Sequence, residues 1–383
     1  METKKLYDID AYQTKFEAKV VSCEKTQNGY AVILDQTLFF PEEGGQTPDK
    51  GKIKDIQVLD VQINKNVITH ILEEPVLERE TVKGEIEWEH RFFNMQQHSG
   101  EHLFSGLAYR KYGYKNVGFH LSNQIVTMDF DGVFTEEQLE EMEWEINQAI
   151  VANVEIKTGY PAREELEALE YRSKIEIDGD IRIVEIPGYD ICACCAPHVN
   201  RTGEIGIFKI QTVQNYKGGM RISFLCGFRA LEEYRKKSKI ISEVSQLLTT
   251  NQEQIAENVS KLKTQTQSLK TQLANANQVI MERKIEEIPQ EQENVLLFER
   301  ELDTPVMRHV VNRLVEKHDG ICGVFVGTKE NGYSFIIGSK TKDCRQIAAL
   351  LKENLQSRGG GSAQMIQGSL CAAPEEIEKC LEV

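Results

Sequence analysis

Residues 96–103 read Gln-Gln-His-Ser-Gly-Glu-His-Leu, and residues 194–198 read Cys-Cys-Ala-Pro-His. The first run lies in a segment, 89–113, patterned as a helix that ends at Gly113 as a C′ residue. On a helix, residues four apart share a face, so His98 and His102 can grip one ion. Cys194 and His198 stand at the same spacing. Together the two runs offer three imidazoles and a thiolate, a donor set that suits zinc. Either pair alone is a weak signal, and both in one chain are moderately specific. Cys192 and Cys195 are near enough in sequence to take the place of Cys194. His98-Ser99-Gly100-Glu101-His102 also fits H-x-x-E-H, the inverted zinc-peptidase signature, with Glu101 as general base. That reading leaves Cys194 and His198 without a role and ranks second.

Outward from these runs the pattern changes several times. Residues 1–88 alternate apolar and polar positions, with turn signals at Asn28-Gly29 and at 64–66, as in a small β-barrel or sandwich. A long loop, residues 40–51, interrupts them. After the helix, a strand is expected over 124–130. Thr135 and Gln138 form a capping box that opens a second helix, and a third is expected over 161–171. Further strands are expected in IRIVEI, GEIGIFKIQTVQ and MRISFLC. Strands and helices mixed without strict alternation predict an α+β class. In 229–288, Ile241, Leu248, Ile255, Leu262, Leu269 and Ala276 fall seven apart, with Val259, Leu273 and Ile280 at the second heptad position. A capping box at Thr250 predicts a break and then a helix of about 35 residues, roughly 50 Å long. It would serve as a spacer, a tRNA-spanning arm or a dimer seam. From 289 an α/β pattern returns: a helix over 304–317, buried strands in ICGVFVGT and YSFIIGS, a helix over 345–356, then a glycine-rich loop at 358–362. The expected domains are thus 1–88, 89–228, 229–288 and 289–383.

At 383 residues, with 27% charged and 40% hydrophobic residues, the composition is that of a globular protein of two to four domains. No apolar run is long enough for a membrane span, and the first residues lack the apolar core of a signal peptide, so a cytoplasmic location is expected. Nine cysteines, odd in number and unevenly spread, favour thiols and metal ligation over a disulfide framework. The net charge of −15 argues against nucleic acid at first, but residues 129–180 alone hold sixteen acidic and four basic residues. Basic stretches at 221–240 and 306–360 leave room for local phosphate contacts.

QQHSGEHL, followed by CCAPHVNRTGEIGIFKI, resembles the HxxxH and CxxxH pair of alanyl-tRNA synthetase editing domains. FFPEEGGQTPDKG is similar to that family's FYPEGGGQ-x-x-D-x-G loop, KGGMRI to its KG-x-x-RI segment, and RGGGSAQMIQG to the GGGRPDMAQ run of the DHH-associated domain. Only some ninety residues precede the histidine helix, too few for an aminoacylation domain. The chain therefore resembles the long form of AlaX, the free-standing alanyl-tRNA editing proteins. The resemblance implies zinc held by His98, His102, Cys194 and His198. It implies a deacylase for mischarged tRNA(Ala), acting in trans on Ser-tRNA(Ala) and, in some members, Gly-tRNA(Ala). It places Gly44, Gly45, Gln46 and Thr47 near the substrate and Arg221 near the tRNA end, and assigns no general base. The terminal run Gly359, Gly360 and Gly361 would dock tRNA or mediate dimerisation, a homodimer through the arm or the C-terminal domain being the expected assembly. Glu43, Phe119, Cys195, Ala196 and Pro197 depart from the family pattern. The alternatives are a zinc metallopeptidase using Glu101 and a non-catalytic zinc protein that binds tRNA.

Overall fold

The computed structural model describes residues 2–122, 125–173 and 180–382. They form two compact units, 1–241 and 242–383, of mixed α and β structure.

Beside a two-residue pairing of Lys4–Lys5 with Gln36–Thr37, the first part of this unit holds six strands: β1 (Lys15–Thr26), β2 (Gly29–Leu34), β3 (Gly51–Ile53), β4 (Ile56–Asn64), β5 (Val67–Leu72) and β6 (Thr81–Ile86). Their hydrogen-bonded order is β1-β2-β5-β4-β3-β6, and β6 pairs back with β1, closing the ring. Alternation drives this. In β1, Phe16, Ala18 and Val20 point inward while their neighbours are exposed. The hairpins at 54–55 and 65–66 have both central residues at positive φ, the two-residue turn that matches strand twist. The loop at 40–51 is pinned from below. Asp49 accepts from Phe40 N (2.7 Å) and takes the fully buried Arg91 guanidinium, which also donates to the carbonyls of Ala11 and Leu38.

Helix α1 (Trp88–Tyr112) follows and is buried almost throughout 94–108. Gly113 ends it at φ 72°. Strands β7 (Asn116–Leu121) and β8 (Val126–Phe130) come next, residue 124 of the expected strand lying outside the described residues. The predicted capping box is present, with Thr135 and Gln138 bonded reciprocally at the start of α2 (Glu136–Ala152). The third helix, α3, is only Arg163–Ala168, following a short strand β9 (Lys157–Gly159). It stops short of 171 because the backbone of Arg172 bonds to Ile191 O and Ala193 N (both 2.9 Å), which draws the chain onto a strand. That strand is β11 (Asp190–Ala193), paired with β10 (Ile183–Ile186). Thr202–Ile205 is a 3-10 turn rather than the start of a strand, and Gly206 (φ 82°) redirects the chain before β12 (Phe208–Tyr216). With β13 (Gly219–Cys226) this completes the sheet β12-β13-β8-β7, which packs on α1 and α2.

Helix α4 (Gly227–Leu247) is followed by a break and α5 (Ile255–Glu286), of 32 residues. The break is capped by Asn251, which accepts from Gln254 N (3.0 Å), not by Thr250. In the second unit β14 (Val295–Glu299), α6 (Thr304–Lys317), β15 (Cys322–Thr328), β16 (Gly332–Gly338), α7 (Cys344–Leu355), β17 (Arg358–Gly361), β18 (Met365–Leu370) and α8 (Pro374–Leu381) build a sheet ordered β14-β15-β16-β18-β17. The expected glycine-rich loop is the edge strand β17. Gly359, Gly360 and Gly361 lie opposite Gly368, Gln367 and Ile366. Cβ atoms on Gly359 and Gly361 would come within 2.2–2.3 Å of backbone oxygens of β18, so glycine is what lets this edge approach.

Candidate metal centre

The two runs converge. His98 and His102 share the inner face of α1, and Cys194 and His198 follow β11 on the curl of chain that faces it. The four donor atoms all lie within 4.8 Å of one another. Cys194 Sγ is 3.5 Å from His98 Nε2 and 3.4 Å from His198 Nε2. A tetrahedral ion with ordinary zinc–nitrogen and zinc–sulfur bonds spans an N–S edge of about 3.5 Å. The donor set therefore fits zinc in kind, number and spacing.

The curl is held by Arg182, whose guanidinium donates to Cys194 O (3.0 Å) and Ala196 O (2.9 Å), while Cys194 N donates to Arg182 O (3.0 Å). Each imidazole turns Nε2 inward because Nδ1 is engaged outside. His98 Nδ1 meets Gln46 Oε1 at 2.9 Å, His198 Nδ1 meets Ser99 Oγ at 3.0 Å, and His102 Nδ1 meets Asp190 Oδ2 at 2.9 Å. Such outer partners fix tautomer and ring orientation in metal-binding histidines.

Electrostatics separate the three neighbouring cysteines. Burial works to raise the Cys194 thiol. The positive potential of His98 and hydrogen bonds from the three histidines outweigh it and hold the thiol well below its ordinary value. Burial, with the nearby Cys194 and Glu43, pushes Cys195 up, and burial likewise raises Cys192. Cys194 is thus the thiolate of the group. Burial works to lower His102, but its bonds to Asp190 and Cys194 raise it to about 9; burial lowers His198 to about 3.

A cavity of about 830 Å³ opens beside the cluster, and His98, His102, Cys194, Phe119, Gly44 and Glu43 line it. Of the residues expected near a substrate, Gly44 is in that lining. Gly45 and Thr47 are bonded through their backbones to Leu121 (2.7 and 3.0 Å), docking the loop on β7. Gln46, 1% exposed, sits behind His98 rather than in the lining. Arg221 lies on β13, also outside the lining, its guanidinium bound twice to Asp129 (2.6 and 2.7 Å) and stacked over Tyr216. Glu101 is buried, and its Oε1 accepts from Ser105 Oγ (2.6 Å) and Asn116 Nδ2 (2.5 Å). Sequence reasoning missed Ser99, Arg172, Arg182 and Asp190. Asp190 stands four residues before Cys194, but one acidic residue at a strand start carries no signal.

Comparison with known proteins agrees with this geometry. Residues 4–90 match the family described as tRNA synthetases class II (A), and residues 181–223, which hold Cys194 and His198, match the threonyl and alanyl tRNA synthetase second additional domain. The chain is 27% identical to the alanyl-tRNA editing protein AlaX-L of Pyrococcus horikoshii, over 98% of this chain and 96% of that one. It is 28% identical to the alanyl-tRNA editing protein Aarsd1 of Rattus norvegicus, over 94% and 92% respectively. Against alanine–tRNA ligase of Ignicoccus hospitalis the identity is 32% over 71% of this chain, which spans only 31% of the ligase. Over nearly its whole length the chain is thus similar to free-standing alanyl-tRNA editing proteins.

Proposed function

We propose that this chain is an aminoacyl-tRNA deacylase. It hydrolyses the ester that joins a wrong amino acid to tRNA(Ala), Ser-tRNA(Ala) foremost and Gly-tRNA(Ala) in addition, in trans and in the cytoplasm. The observation that carries this reading is the convergence of His98, His102, Cys194 and His198 beside a cavity of about 830 Å³. The names and lengths of the free-standing relatives support it.

Zinc, bound by those four residues, would supply a Lewis-acidic charge next to the ester carbonyl. The chain's own residues do the rest. Gln46, Ser99 and Asp190 hold the three rings in register. Phe119, 5% exposed and 4.9 Å from the His98 ring between centroids, walls one side against water. Hydrolysis joins a water oxygen to the acyl carbon, breaks the acyl–ribose bond and returns the ribose hydroxyl with its proton. An activated ester needs little beyond this positioning and charge. A cavity that hydrogen-bonds the serine hydroxyl selects serine over alanine and glycine alike, because both leave a buried polar group unpaired; glycine is accordingly the slower substrate, and the pocket must exclude the alanine methyl to keep it from following.

We further assign the heptad stripe of α5 to a homodimer seam. Val259, Leu262, Leu269, Leu273 and Ile280 are 49–63% exposed, an apolar line without a partner among the described residues.

Incubation with Ser-, Gly- and Ala-tRNA(Ala), with and without a chelator, tests the function. We expect Ser-tRNA(Ala) to be lost fastest, Ala-tRNA(Ala) to be spared by at least about 100-fold, and the chelator to stop the reaction. Equal loss of all three, or of none, contradicts the reading.

A further inference from the structure

The three imidazoles are not held alike. His98 leans on a neutral amide oxygen and His198 on a hydroxyl, whereas His102 alone meets a carboxylate. That carboxylate, Asp190, has a side chain 1% exposed, and it is itself gripped from behind. Arg172 donates Nε to Oδ1 at 2.7 Å and a terminal nitrogen to Oδ2 at 2.8 Å, a two-pronged pair. The backbone of Arg172 is bonded on both sides to β11, the strand that starts with Asp190 and leads into Cys194. The approach of α1 to this strand is built in. A Cβ on Gly106 would lie 2.4 Å from Tyr189 O and 2.7 Å from Asp190 Cβ.

We propose that Arg172 and Asp190 form a positioning relay that presets His102 as a metal ligand, an inference that rests on the metal reading of the centre. Asp190 accepts a hydrogen bond from His102 Nδ1–H, which leaves Nε2 as the nitrogen turned toward Cys194, and Arg172 fixes the carboxylate in the one orientation that does so. The relay also ties the two ligand runs together: it joins a helix ligand to the strand that delivers Cys194. His102 becomes the anchored ligand of the set, while His98, held by a neutral amide, is bound less firmly. Neither Asp190 nor Arg172 is a catalytic residue.

The test uses the full chain with Asp190→Asn, Arg172→Ala and Arg172→Lys. Zinc affinity is measured by competition with a chromophoric chelator, the visible spectrum of the cobalt-substituted protein reports ligand geometry, and thermal melting reports the fold. Asp190→Asn should weaken zinc about 10–100-fold, and Arg172→Ala about tenfold, with an altered cobalt spectrum in both. Arg172→Lys should recover only part, because an ammonium cannot make the two-pronged pair. Affinities within twofold of wild type in variants that melt normally would overturn the relay, as would a lowered melting point with an unchanged cobalt spectrum. Wild-type protein that binds no zinc would instead sink the metal reading itself. If Asp190→Asn fails to fold, the two Arg172 variants still decide the matter.

Discussion

Asp49 shows how much rests on single side chains far from the chemistry. Its carboxylate holds the fully buried Arg91 and the backbone of Phe40, and so anchors the loop that brings Gln46 under His98. Replacing it with alanine leaves a guanidinium buried without a counter-charge. Asp49→Ala should cost about 3–5 kcal/mol, read from urea unfolding; a loss under about 1 kcal/mol would mean that Arg91 finds water instead. At this scale the clustering of His98, His102, Cys194 and His198 was legible because potential metal donors come from few residue types at a four-residue spacing. Their supports were not. A glutamine, a serine and an aspartate acquire meaning only from what they face. Ala196, one of the positions between Cys194 and His198, is fully buried among the core residues of the barrel.

Elements were read best where a local rule has its own chemistry. The Thr135 capping box, the left-handed glycine stop at Gly113 and the start of α6 with a proline in its first turn each follow from a local rule of sequence. The strands β15 and β16 read as continuous apolar runs because both faces are covered, by α7 and α8 on one side and by α6 on the other. The glycine run of β17 read as a loop because glycine has neither alternation nor strand preference; its pairing with β18 is a tertiary fact. Helix α1 offers a prediction of sign. Alanine for glycine inside a helix ordinarily stabilises by about 1 kcal/mol. At Gly106 the new methyl would strike the backbone of Tyr189, so Gly106→Ala should destabilise the fold and weaken zinc binding. A gain in melting temperature would show that α1 and β11 can move apart at little cost.

For the whole molecule, the mixture of α and β structure followed from mixed periodicities, and the likeness to alanyl-tRNA editing proteins from motifs in a fixed order. The division into compact units at 241 did not, because helix and heptad patterns run on without a mark there. The acidic balance of −15 gives no pointer to the proposed tRNA substrate: charge summed over 383 residues says little about one cavity. The central claim is that His98, His102, Cys194 and His198 form one zinc centre that removes wrong amino acids from tRNA(Ala). It is tested most directly by single-turnover deacylation of Ser-tRNA(Ala) with wild type and Cys194→Ala, each assayed for bound zinc. We predict one zinc per wild-type chain and rapid loss of the ester. For the variant we predict little zinc and a rate near that without protein. A Cys194→Ala protein that lacks zinc yet deacylates as fast as wild type would contradict it.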